Sequence, residues 1–84
     1  MTIRVVFSGR RYDAAQSLPE EISLPDGATV EDALKTLSDL LPVRLPESCL
    51  VAVSGVHLGT VARHRSRDLR QGDEIVLIAP VAGG

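Results

Sequence analysis

Eighty-four residues make one small domain, since domains run from roughly 50 to 250 residues, and a chain this short hides too little surface to enclose a deep catalytic cavity. An apolar share of 44% with 24% charged residues excludes intrinsic disorder and fibrous repeats, and a formal charge of -2 lacks the positive field of a nucleic-acid binder. One cysteine, Cys49, makes no internal disulfide and fits a reducing compartment. Apolar runs fall short of the roughly 18 residues of a membrane span, and no signal-type apolar region follows Met1. The expectation is a cytoplasmic protein with neither a nucleic-acid nor a membrane partner.

Residues 2–8 place Ile3, Val5 and Phe7 at every second position, which predicts a strand. Residues 9–16 are polar and aperiodic, and 20–24 alternate again through Ile22 and Leu24, so a loop and a second strand follow. Pro25-Asp26-Gly27 is a turn: proline presets φ, aspartate accepts a local bond and glycine tolerates positive φ. Thr29 and Asp32 stand at capping-box spacing, and the acids Glu31 and Asp32 oppose the positive end of a helix. From there Val30, Ala33, Leu34, Leu37, Leu40 and Leu41 form one apolar stripe, which Pro42 closes.

Residues 43–48 read as loop and 49–53 as an apolar, β-branched strand of central type. Ser54-Gly55 turns the chain into a short edge strand over 56–62, weakened by Gly59. Residues 63–68 are highly charged, Leu69 anchors them to the core, and Gln71-Gly72-Asp73 leads into a last strand over 74–79. One amphipathic helix on a mixed sheet of about five strands is an α+β roll of β-grasp (ubiquitin-like) type. The organisation predicted is a domain over 1–79 and a thin, mobile tail over 80–84.

The tail carries the chemistry. Pro80 stops the strand from continuing as a donor, and Val81, Ala82, Gly83 and Gly84 add nothing bulkier than valine. A terminal glycine carboxylate has no Cβ and flexible flanking dihedrals, so it threads narrow channels. Extended, residues 80–84 reach about 17 Å, far enough to enter another protein's active site. Such a carboxylate becomes reactive only when a partner attaches a leaving group such as AMP.

Other candidates are weaker. No G-x-x-x-x-G-K-[ST] or G-x-G-x-x-G run is present, so the chain binds no nucleotide itself. His57 and His64 lack neighbours at metal-ligand spacing and read as surface histidines, and Cys49, opening an apolar strand, reads as a buried thiol. Arg63, Arg65, Arg67 and Arg70 make a basic stretch without interleaved aromatics, read as a solvated loop. Lys35, on the polar helix face, has no assigned role. In the last strand Ile75 and Leu77 face the helix, so Val76 and Ile78 face away, joined by Val6. Either loops cover that side or it is an apolar docking patch where the tail departs.

The runs Ile3-Arg4-Val5-Val6-Phe7, 26–34, Val51-Ala52-Val53, 69–75 and Pro80-Val81-Ala82-Gly83-Gly84 together resemble the MoaD/ThiS family of ubiquitin-like sulfur carriers. Within it the chain is most similar to MoaD members, the small subunits of molybdopterin synthase. The resemblance implies that Gly84 is adenylated by a MoeB-like enzyme using ATP and converted by a sulfur donor protein to a thiocarboxylate. A MoaE-like large subunit then directs the sulfur onto a pterin. It also implies a non-catalytic subunit that binds no cofactor or metal of its own. The alternatives it leaves open are carriers for thiazole synthesis or tRNA thiolation, and a protein modifier conjugated through Gly84. Departures from the family's pattern are Ser54 where asparagine is common, Ala79-Pro80 in place of two prolines, and Ile78 where aromatics occur.

Overall fold

Alternation in the opening segment sorts its side chains to two sides of a strand, β1 (Thr2–Ser8), which buries Ile3 and Val5 and exposes Arg4 and Val6. The computed structural model describes residues 1–8, 20–40, 45 and 47–79. The second strand, β2 (Glu21–Ser23), pairs antiparallel with β1, setting Ile3 opposite Ile22. It is shorter than the 20–24 predicted.

After the turn at Gly27, whose φ is 87°, the helix α1 (Val30–Leu40) begins where the capping box places it. The Thr29 amide donates to Asp32 Oδ2 at 2.9 Å, and the Asp32 amide reaches back to Thr29 Oγ1 at 3.4 Å, so two otherwise orphaned donors are satisfied. Val30, Ala33, Leu34 and Leu37 are buried, but Leu40 is 51% exposed. At 3.6 residues per turn Leu40 lies about 80° around the helix from Val30, on the margin of the stripe. The predicted continuation through Leu41 to Pro42 lies outside the described residues.

Next come β3 (Leu50–Val53), β4 (Val56–Thr60) and β5 (Glu74–Ile78). β5 runs parallel to β1 and antiparallel to β3, giving the sheet order β2-β1-β5-β3-β4. A parallel pair cannot be closed by a hairpin, so the helix and the β3–β4 hairpin fill the connection between β1 and β5. This is the β-grasp, ubiquitin-like roll. The middle place belongs to β5, whereas β3 is interior but second from the edge, and Leu50 is 41% exposed. The reading of residues 49–53 as a central strand is met in that β3 has a paired strand on each side, while apolar content, shared by β3 and β5, does not show which of the two takes the middle.

One face of the sheet supplies Ile3, Val5, Ile22, Val51, Val53, Leu58, Ile75 and Leu77 to a core shared with α1. In β4 the partner register passes from Gly59 to His57 and skips Leu58. This bulge turns Leu58 into the core while His57 stays opposite Ala52. β4 ends at Thr60, short of the predicted Ala62, because Thr60 and Arg63 exchange backbone bonds of 2.7 and 3.2 Å that fold the chain back. Among the described residues no helix is long and apolar enough to cross a membrane.

Candidate functional site

β5 buries Ile75 and Leu77 completely and leaves Val76 and Ile78 half-buried on the opposite side. Register then assembles the outer face. Val76 stands opposite Val6 on β1 and Ala52 on β3, and Ile78 stands opposite Ser8 and Leu50. Val6 is 36% exposed. Three of the predicted partner-binding residues, Val6, Val76 and Ile78, thus share one surface. Leu50 and Ala52 extend it and were not anticipated, because their membership follows from pairing with β5. At the far end Arg4 lies 3.9 Å from Glu74, a charged rim beside the apolar rows.

The same register places the tail's point of departure. The Ala79 amide donates to the Ser8 carbonyl at 2.8 Å, so the chain is held against β1 up to the last residue before Pro80. The predicted tail residues Pro80, Val81, Ala82, Gly83 and Gly84 lie outside the described residues. Since β5 is the middle strand, the tail begins beside the apolar outer face and away from both sheet edges.

At the opposite end of β5 a polar latch sets where the strand starts. Asp73 is 9% exposed. Its Oδ1 accepts from Ser54 Oγ at 2.9 Å and its Oδ2 from the Arg70 amide at 2.8 Å, while the Glu74 amide donates to Ser54 Oγ at 3.3 Å. Ser54 has φ of 46°, a left-handed conformation better suited to asparagine or glycine, and the hydroxyl bonds hold it there.

Residues 61–70 do not hang free. The Arg65 amide donates to the Leu58 carbonyl, the Val30 amide to the Arg67 carbonyl and the Leu69 amide to the Ala28 carbonyl, at 2.9–3.0 Å. This segment covers the outer edge of β4, which would otherwise offer unpaired strand groups. Gly59, read from sequence as a weakness, is what permits the cover: its φ is 134°, and a Cβ there would overlap the Arg63 carbonyl oxygen and lie 3.0 Å from His64 Cα.

His64 corrects the surface reading. Its side chain is 11% exposed, and Nδ1 lies 3.0 Å from the Thr60 carbonyl oxygen and 3.2 Å from that of Val61. Carbonyl oxygens only accept, so Nδ1 bears a proton. Nε2 is buried, 3.4 Å from Glu31 Oε1 but without an aligned hydrogen bond. Glu31 also accepts from Ser66 Oγ at 3.2 Å. Its carboxyl sits below the ordinary range, chiefly through its own amide in the first helical turn, against a smaller opposing effect of burial. His57 is exposed, as predicted. Cys49 is fully buried and its thiol is pushed up by desolvation, which disfavours the thiolate a nucleophile needs.

The described residues thus form a β-grasp body with an apolar outer face beside the end of its last strand. The ThiS family model matches residues 5–84. The chain belongs to that family, the ubiquitin-like sulfur carriers. No curated relative matches it.

Proposed function

We propose that this carrier works in molybdopterin synthesis, as the small subunit of a molybdopterin synthase in the cytoplasm. Gly84 is the cargo site. A MoeB-like enzyme joins the carboxylate to AMP from ATP with release of pyrophosphate. The terminal sulfur of a persulfide on a donor protein then displaces AMP, a thiol cleaves the resulting acyl disulfide to release the donor as a disulfide, and the thiocarboxylate left behind gives its sulfur to a pterin held by a MoaE-like large subunit. Transfer regenerates the carboxylate for another cycle.

The observation that carries this reading is the anchoring of Ala79 against Ser8 beside Val6, Val76 and Ile78. A partner seated on that apolar face receives the tail directly, and residues 80–84 span about 17 Å into its interior. A chain of this size hides too little surface to enclose a substrate deeply, so binding and activation fall to partners.

The test is reconstitution. Thiocarboxylated chain is mixed with a molybdopterin synthase large subunit and the cyclic pterin precursor, and in parallel with a thiazole synthase and its substrates. The proposal expects dithiolene product only in the first mixture. Thiazole product alone would replace the molybdopterin assignment.

A further inference from the structure

Residues 61–70 contain Arg63, Arg65, Arg67 and Arg70 against Asp68, a local formal charge of +3. The chain totals -2, so everything else carries -5. The segment is thus net positive, while the rest of the chain is net acidic. Among the described residues none of the four arginines has a carboxylate within ion-pair distance, the ion pairs there being Met1–Asp26, Arg4–Glu74 and His64–Glu31. Arg67 is committed to the fold, donating from Nη1 to the Val53 carbonyl at 3.2 Å. Arg63, Arg65 and Arg70 are exposed.

Their backbone is held in place. The Thr60–Arg63 turn, the Arg65–Leu58 and Val30–Arg67 bonds and the Asp73 side chain on the Arg70 amide tie the segment to β4, α1 and β5. The anchoring that covers the β4 edge also sets the guanidinium groups on a fixed track, where they lose less entropy on pairing. The arginines run along the β4 edge from Arg63, beside Thr60, toward the start of β5. Thr60 is level with Leu50 and Ile78, so the Arg63 end lies at the end of the sheet from which the tail leaves.

We propose that this edge is a docking rail for an acidic, extended protein segment. Guanidinium forks match carboxylates in bidentate geometry, and a rail of this sign speeds encounter with an acidic surface. A nucleic acid is the poorer match: the remaining charge of -5 repels a polyanion, and an aromatic share of 2% leaves no bases a stacking platform. On the carrier reading, the rail orients the body so that the tail end of the sheet faces the receiving protein.

The experiment is an amide-resolved NMR titration of the full chain with a hexaglutamate peptide, and separately with a single-stranded oligothymidylate hexamer. The rail predicts peptide-induced shifts concentrated in residues 61–70, weakened roughly tenfold in R63Q/R65Q/R70Q and restored only in part in R63K/R65K/R70K, which keeps the charge without the fork. Raising salt from about 0.05 M to about 0.3 M weakens wild-type binding further. Shifts elsewhere or none, unchanged affinity in the glutamine variant, or tighter binding of the oligothymidylate overturn the proposal. Should the glutamine variant not fold, the location and salt dependence of the wild-type shifts decide alone. The titration does not use Gly84, so its outcome is independent of the sulfur-transfer test.

Discussion

Ser54 and Asp73 are joined across the start of β5, Ser54 Oγ donating to Asp73 Oδ1 at 2.9 Å while Asp73 Oδ2 receives the Arg70 amide. One buried carboxylate thereby fixes the β3–β4 turn, the end of the basic segment and the first residue of the middle strand. Asp73→Ala removes two hydrogen bonds to a charged acceptor, a kind worth about 1.5–3 kcal/mol each, from donors on the exposed residues Ser54 and Arg70 that water partly re-satisfies. The expected loss is about 2 kcal/mol, read as a lower urea midpoint at unchanged slope. Asp73→Asn keeps one acceptor oxygen and is expected to lose less than half as much. Equal losses would show that the charge matters more than the geometry.

Gly59 is expected to be the least replaceable of the positive-φ glycines. Gly55 and Gly27 have φ of 87° and open space within 4 Å of where a methyl group would sit, whereas at Gly59 the added carbon meets the Arg63 carbonyl. Gly55→Ala and Gly27→Ala are expected to cost about 1–2 kcal/mol from backbone strain alone. Gly59→Ala adds displacement of the segment covering β4, exceeds both, and increases hydrogen exchange at the Thr60 and Arg65 amides. A Gly59→Ala variant as stable as Gly55→Ala would contradict the packing described for residues 63–64.

Glu31 sets a pH dependence. Its folded-state carboxyl is held below the ordinary value of 4.5, first by the helix-end amide and then by the Thr29 and Ser66 hydroxyls and the charge of His64. In the acid range the unfolded chain therefore binds the proton more readily, and stability rises with pH. The contribution is complete above about pH 4.5 and is lost as pH falls through the lower folded value. Thermal melts of Glu31→Gln should show a flatter acid limb than wild type and a constant offset at neutral pH. Parallel limbs would remove Glu31 from the acid response.

The apolar outer face should matter for docking more than for folding. Val6 and Leu50 are 36% and 41% exposed, so Val6→Glu and Leu50→Glu are expected to change stability by about 1 kcal/mol or less. A charge set in the middle of an apolar contact should lower kcat/KM for adenylation of the chain by a MoeB-like enzyme roughly tenfold. A kinetic assay on the two variants, with urea unfolding as control, checks both halves. Unimpaired adenylation would mean that the activating partner sits elsewhere.

What was legible in the sequence was local. The Thr29–Asp32 cap is a three-residue relationship, and the alternation of Ile75 and Leu77 with Val76 and Ile78 belongs to a single strand, so the helix start and the two faces of β5 were readable. The sheet order was not, because β3 and β5 are both short apolar runs and only pairing shows which one takes the middle. Leu50 was missed for the same reason: it joins the outer face through its register with Ile78. His64 was misread because its burial depends on a long-range fold-back onto β4 and α1, and Gly59 looked like a flaw until that fold-back gave it a purpose. Among the site residues, Val6, Val76 and Ile78 came together as anticipated, while the tail residues 80–84 lie outside the described residues.

The direct measurement is intact and peptide-level mass spectrometry of the chain after incubation with ATP, a MoeB-like adenylating enzyme and sulfide. Replacement of one oxygen by sulfur, confined to the C-terminal peptide that contains Gly84 and absent when Gly84 is deleted, is the result predicted. Sulfur added to Cys49 in place of the Gly84 exchange, or no exchange at Gly84 in the folded chain, would contradict a carrier whose cargo rides on its terminal carboxylate.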